Sequence, residues 1–335
     1  MKIGKTGEFG LINIINETLG AKDGTIIKGI GDDAAALKLE NNNLLLLTTD
    51  MLIEGIHFDL SYCTPYNIGA KALAVNISDV AAMGGKPTFY LLSIALPEQT
   101  DRFFFENLIK GFHDISDRFG IRLIGGDTVA SKDNIVINIS LLGEVGREEM
   151  ICRNGAQKGD KIFVTGTIGD SAAGLAILTD KPGPGDMDLK YHSLLAKHLT
   201  PTPRVDVANM IAEMKIANSM IDISDGMAID LKRICDESMV RGRIWLEKIP
   251  LSNEYKMAKK EFAFNAEHPL TGGEDYELLF TAPDYRRDEL FGISQNFDCP
   301  ITEIGEICQG REVEIIGRDG KPVKPDRLGY EHFKV

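Results

Sequence analysis

Six short segments of this chain place an aspartate or glutamate beside glycine, serine or threonine, inside an apolar run or just after one. They are GIGDDAA (29–35), TTDMLIEGIHF (48–58), NISDVAAMGG (76–85), IGGDT (124–128), IDISDG (221–226) and GGEDYEL (272–278). Almost none has a lysine or arginine next to it. Acids in this setting fall at strand ends and helix starts, and if the fold gathers them they need cations. Two carboxylates about 4 Å apart repel by roughly 4 kcal/mol at a surface-like dielectric. Divalent metals with oxygen ligands are the usual remedy. A metal cluster facing glycine-rich backbone suggests a bound polyphosphate.

With 335 residues, the chain is longer than a single core usually supports, so two domains are expected. The segment GREEMICRNGAQKG (146–159) is polar and glycine-rich and is the natural junction, dividing the chain into 1–147 and 148–335. A net charge of -13 argues against nucleic acid or an anionic membrane as partner. A nucleotide stays open, because metal can meet its charge. Cys63, Cys152, Cys235, Cys299 and Cys308 are dispersed and odd in number, as expected of reduced thiols in the cytoplasm. No signal-like or membrane-spanning apolar run is present in the sequence.

Several elements are legible. Phe9–Leu19 reads as a short amphipathic helix, and Leu44–Thr49 as an apolar strand ending at Asp50. Thr64 and Pro65 open a helix that runs to Met83 and stops at Gly84-Gly85. Thr88–Leu96 is a strand. Asp101 caps a helix with Phe104, Leu108, Phe112, Ile115 and Phe119 at helical spacing, ended by Gly120. Ile121–Ile124, Ile135–Val145, Lys161–Thr165 and Ser219–Ile223 are strands, and KPGPGD (181–186) is a loop. The mixed order favours two α+β domains over one doubly wound sheet.

No motif is strong alone. GIGDDA with Asp50 downstream imitates a dinucleotide fingerprint, but Asp32 and Asp33 would repel a pyrophosphate and too few residues remain for the crossover helix. Gly4-Lys5-Thr6 lacks the rest of a phosphate-binding loop. Thr48, Thr49 and Asp50 offer hard oxygen ligands, and Asn76 and Asp79 share a helix face. Gly125-Gly126-Asp127 could present amides to phosphate. Asp222 and Asp225 bracket a strand-to-helix turn, where Asp225 is equally suited to be an N-cap. Arg153 is the cation best placed for phosphate, a solvated loop arginine being the alternative. His57 follows the first threonine-aspartate cluster closely; a lone histidine also has ordinary structural uses.

The order of the set says more than its members. GEFGLI (7–12), GIGDDAA, TTDMLIEGIHF, KALAVNISDVAAMGG (71–85), IGGDT, VTGTIGDSAAGL (164–175), IDISDG, GGEDYEL and GYEHF (329–333) form one collinear series. It resembles the thiamine-monophosphate kinase family, within the superfamily of aminoimidazole ribonucleotide synthetase. The resemblance implies an N-terminal α/β domain that dimerises through its sheet, a larger C-terminal α/β domain, and ATP with several Mg²⁺ in the cleft between them. It implies metal ligands at Asp33, Thr48, Thr49, Asp50, Asp79, Asp127, Asp222 and Asp225. ATP would meet Gly126, Asp127, Arg153 and Ser224, and thiamine monophosphate would meet His57, Glu274 and Tyr330. Ile109 stands where some relatives carry a nucleotide-contacting tyrosine, and Tyr330 where some carry tryptophan. The implied reaction is a direct, metal-assisted transfer to a phosphate acceptor, needing no general base. The alternatives are a related ATP-dependent synthetase and a non-catalytic nucleotide- or metal-binding protein.

Overall fold

The computed structural model describes residues 6–21, 23–39, 42–180, 189–265 and 267–333, so the loop expected at 181–186 lies outside the described residues. The first half runs α1 (Gly7–Leu19), β1 (Ile26–Lys28), β2 (Ala35–Lys38), β3 (Asn43–Ile53), α2 (Pro65–Ala82), β4 (Lys86–Pro97), α3 (Arg102–Phe119), β5 (Arg122–Ser131) and β6 (Val136–Gly146). The second half continues with β7 (Lys161–Thr165), α4 (Asp170–Asp180), α5 (His192–Leu199), α6 (Val205–Glu213), β8 (Ser219–Asp222), α7 (Met227–Ser238) and β9 (Arg241–Trp245). It closes with α8 (Asn253–Glu261), α9 (His268–Thr271), β10 (Leu278–Ala282), α10 (Arg287–Asn296), β11 (Ile301–Cys308), β12 (Val313–Ile316) and β13 (Pro322–Val323). Among the described residues the strands form two mixed sheets, ordered β1-β2-β3-β6-β4-β5 and β13-β12-β9-β11-β7-β10-β8.

Helix α2 organises the first half. Thr64 and Asn67 form a reciprocal capping box, and Pro65 opens the helix. Its middle is small and apolar, and nearly every residue from Ile68 to Ala82 is buried. A Cβ on Gly69 would lie 2.1 Å from the Leu108 carbonyl oxygen, and one on Gly111 would lie 2.2 Å from that of Tyr66. The two glycines therefore let α2 and α3 meet backbone to backbone. On its other side α2 touches β8 and α6 of the second half. Ser78 of α2 donates to Asp222 at 2.6 Å, tying the halves together.

Two sequence expectations need correction. Strand β3 does not end at Asp50; it pairs with β6 as far as Ile53, so the threonine-aspartate trio lies within the strand. The glycine pair 125–126 does not end a short strand. Parallel pairing with β4 carries β5 through the glycines and Asp127 to Ser131. The reason lies in the close approach: a Cβ on Gly126, whose φ is 155°, would fall 1.8 Å from the Leu92 carbonyl oxygen. Helix α1 forms as expected, but only Gly7 is buried, and Phe9, Ile12, Ile14, Ile15 and Leu19 are exposed.

Candidate active site

Alternation along β3 sends Thr48, Asp50 and Leu52 to the face covered by α2. Asn76 of α2 braces the strand there: its Oδ1 accepts from Asp50 N at 3.0 Å, and its Nδ2 donates to Ala72 O at 3.0 Å. One turn on, Asp79 accepts from the Thr48 hydroxyl at 2.5 Å. The turn before β2 adds Asp33, and the end of β8 adds Asp222. Oxygens of Asp33, Asp79 and Asp222 lie within 4.8 Å of one another.

These carboxylates strain against their own charges. Burial, then the charges of Asp225 and Asp33, push Asp50 up to about 6. Asp79 is raised well above the ordinary range by burial and by Asp50, Asp222 and Asp33. Asp222 is raised likewise, by burial and by Asp33. Asp33 Oδ2 is buried with no hydrogen-bond partner among the described residues. Converging hard oxygens with an unused lone pair fit a divalent cation such as Mg²⁺.

Guanidinium groups occupy the edges of the cluster. Arg153 donates to Asp33 at 2.6 Å, while its Nε, also buried, lies 3.9 Å from Asp32 with no hydrogen-bond partner among the described residues. The main-chain N of Arg153 and the Lys28 ammonium both reach Asp32, at 3.2 and 2.9 Å, so Asp32 anchors the Arg153 loop. Asp225 is not the cap of α7. Its carboxylate pairs with Arg233, and Asp230 accepts from the N–H groups of Asp225 and Gly226.

Two expected ligands stand elsewhere. The Thr49 hydroxyl is on the opposite face of β3, donating to Ile139 O at 2.9 Å and accepting from Asn138. Asp127 lies opposite Ser93 on β5, and Ser93 lies opposite Asn138. It is therefore on that same opposite face, and β6 and β4 stand between its strand and β3. At about 4.8 Å per strand spacing, that is roughly 14 Å from β3. Within one chain Gly126 and Asp127 do not join the acid cluster. Ile109 lies on α3 and is exposed.

A cavity of about 630 Å³ opens beside the cluster, with Asp50, Asp79, Ser224 and Asp225 along one side. His57, Glu274 and Tyr330 line it as well, so the structure brings the three expected acceptor residues together. His57 Nδ1 accepts from Ile53 N at 3.0 Å, which leaves the ring proton on Nε2. Burial, and then His332, hold the imidazole below its usual pKa. The C-terminal segment reaches the cavity because Tyr330 N donates to Asp225 O at 2.9 Å and His332 N donates to Glu8 at 3.0 Å.

Residues 31–145 match the family described as AIR synthase related protein, N-terminal domain, and residues 157–318 match the corresponding C-terminal domain. The thiamine-monophosphate kinase of Aquifex aeolicus is 39% identical over 335 residues, covering 99% of this chain and all of that protein. That of Escherichia coli K12 is 38% identical over 329 residues, covering 98% of each. The chain belongs to the thiamine-monophosphate kinase family. Among solved structures, AaThiL complexed with AMPPCP and TMP aligns with a TM-score of 0.86 at 39% identity, covering 99% of both chains. The hydrogenase maturation protein HypE of E. coli shares the fold alone, with a TM-score of 0.71 at 16% identity and coverage of 97% of this chain and 99% of that one.

For a member of this family the cavity holds two residues that the sequence reading passed over. Lys71 contacts Glu274 at 2.8 Å, and His198 contacts it at 3.2 Å. Lys71 carried a signal, being the lone cation in the apolar stretch of α2. His198 carried none: it sits in α5, outside every motif.

Proposed function

We propose that this chain transfers the terminal phosphoryl group of ATP to the phosphate of thiamine monophosphate, yielding thiamine diphosphate and ADP. The observation that carries this reading is the buried acid cluster set against a cavity that His57, Glu274 and Tyr330 also line. The near full-length kinship with thiamine-monophosphate kinases supports it.

The acceptor phosphate has a second pKa near 6, so it is largely dianionic at neutral pH and needs no general base. The obstacle is the meeting of two anions in line. Asp33, Thr48, Asp50, Asp79 and Asp222 would hold Mg²⁺, which when bound screens that repulsion and stabilises the transferring group. Asp225 would serve a further ion once Arg233 releases it. Arg153 would exchange Asp33 for nucleotide phosphate, with Ser224 beside it. His57, neutral and with its Nε2 proton free to donate, suits the acceptor phosphate. The exposed ring of Tyr330 suits the positively charged thiazolium, a contact worth roughly 0.5–2 kcal/mol.

The same reading divides the chain at 147/148, between the two sheets, and places it in the cytoplasm, where its unpaired cysteines would stay reduced. It also pairs two copies through the first sheet. Phe89, Leu91, Leu123 and Val129 on β4 and β5 are exposed in the single chain. A homodimer would cover them and would let Gly126 and Asp127 serve the acid cluster of the second copy.

The test is to mix the protein with ATP, Mg²⁺ and thiamine monophosphate and identify the products. Thiamine diphosphate and ADP in equal amounts are expected. No thiamine diphosphate, or a phosphorylated enzyme trapped with ATP alone, would sink the reading.

A further inference from the structure

The acceptor side of the cavity has a buried wall whose polar atoms are unevenly matched. Glu274 stands in a left-handed backbone conformation, φ 64°, with its N–H donating to Ser224 O at 2.7 Å. A non-glycine residue holds that conformation only when its surroundings impose it. Its carboxylate is bridged by Lys71 Nζ at 2.8 Å and His198 Nδ1 at 3.2 Å. Lys71 is 3% exposed and His198 2%. Lys71 belongs to the first half of the chain; Glu274 and His198 belong to the second.

Hydrogen-bond bookkeeping then defines what this wall lacks. His198 Nδ1 also lies 3.1 Å from the Ser171 hydroxyl, which can donate to it or accept from it, so the ring is held between Ser171 and Glu274. Nε2 of His198 is buried with no hydrogen-bond partner among the described residues. Glu274, partly open to the cavity, keeps further lone pairs. The Lys71 ammonium is engaged by Glu274. The Glu274 carboxylate therefore offers the cavity an acceptor and calls for a ligand N–H. In thiamine monophosphate the N–H groups are those of the exocyclic amine on the pyrimidine; the thiazolium has none.

Resting on the function proposed above, we infer that Lys71 and His198 are positioning residues that fix the Glu274 carboxylate, so that this wall receives the ring amine of the acceptor. Lys71 acts through Glu274. His198, held by Ser171, packs its Nδ1 against the same carboxylate. The wall is then a specificity device: a ring carbonyl in place of the amine would set acceptor against acceptor, leaving buried groups unpaired.

The experiment compares thiamine monophosphate with its analogue in which the ring amine is replaced by oxygen. Wild-type enzyme should favour the amine in kcat/KM by roughly 10- to 100-fold. Lys71→Met and His198→Phe should reduce that preference to about threefold or less and raise the acceptor KM by at least about tenfold, with the ATP KM changed less than about twofold. Lys71→Arg should recover most of the preference. If Lys71→Met fails to fold, the double variant Lys71→Met/Glu274→Gln leaves no unpaired buried charge and should show the same lost preference. Wild-type enzyme that uses both acceptors equally well would overturn the inference while leaving the kinase reading intact. So would variants whose acceptor and ATP KM values and melting temperature shift together, as for a mere tie between the halves. Wild-type enzyme that turns over neither acceptor would overturn the kinase reading itself.

Discussion

Asp50→Asn should make the metal-free protein more stable while removing its response to metal and nucleotide. An ordinary aspartate titrates at 3.8, whereas burial, then Asp225 and Asp33, push Asp50 up to about 6. At about 1.4 kcal/mol per pH unit, keeping it ionised at pH 7 costs the folded state about 3 kcal/mol, an upper figure because water screens part of the site. The sign follows from the folded pKa lying above the unfolded one. The stability this group contributes is fully present below about pH 4 and is lost as pH rises through about 6. Asparagine has the same shape, no charge to lose, and donors for the neighbouring acids. Its metal-free melting temperature at pH 7.5 should be higher by roughly 5 °C. The decline in melting temperature between pH 4.5 and 7 should be shallower than in wild type, the remainder being due to Asp79 and Asp222. Added Mg²⁺ with a non-hydrolysable ATP analogue should stabilise wild type by about 3 kcal/mol at a hundredfold excess over the dissociation constant, and the variant far less. Scanning fluorimetry across pH, with and without metal nucleotide, measures all three. A variant that melts below wild type without metal, or keeps the full metal-nucleotide shift, would refute the assignment of Asp50 to the cluster.

Tyr330→Ala should weaken thiamine-monophosphate binding by about 0.5–2 kcal/mol and leave nucleotide binding unchanged, as read by separate titrations, with Tyr330→Trp tolerated. Equal weakening of both ligands would make the C-terminal segment a general support. Gly126→Ala, which drives a methyl into the Leu92 carbonyl, should destabilise the protein by about 2–3 kcal/mol in denaturant unfolding; an unchanged midpoint would contradict the close strand approach. Leu91→Glu, on the exposed face of β4, should convert a homodimer to monomer in light scattering and lower kcat with it. A fully active monomer would show that Asp127 of a second copy is not needed.

Local sequence was sufficient wherever a few neighbouring residues decide the outcome. The Thr64 cap with Pro65 and the Asp101 cap with Gly120 are interactions within a few positions, so α2 and α3 could be placed before any packing was known. The same holds for the residue types of the site. Asp33, Asp79 and Asp222 stood out because acids in apolar, glycine-rich surroundings need cations, and the collinear series that includes them pointed to the family. Convergence was another matter. Ser78 and Asp222 are 144 positions apart, and only the packing of α2 on β8 brings them to 2.6 Å. Tertiary structure also chose between faces. Alternation says that Thr48 and Thr49 point opposite ways, but the position of α2 decides that Thr48 joins Asp79 and Thr49 does not. The glycine pair before Asp127 reads locally as lying past the end of a short strand, and became strand because β4 was there to pair with it. Lys71, Glu274 and His198 come from three distant segments, and their meeting depends on how the two halves close. Spacing along the chain encodes caps, periods and chemical types; proximity across the chain depends on which buried surfaces fit, and that is a property of the assembled whole.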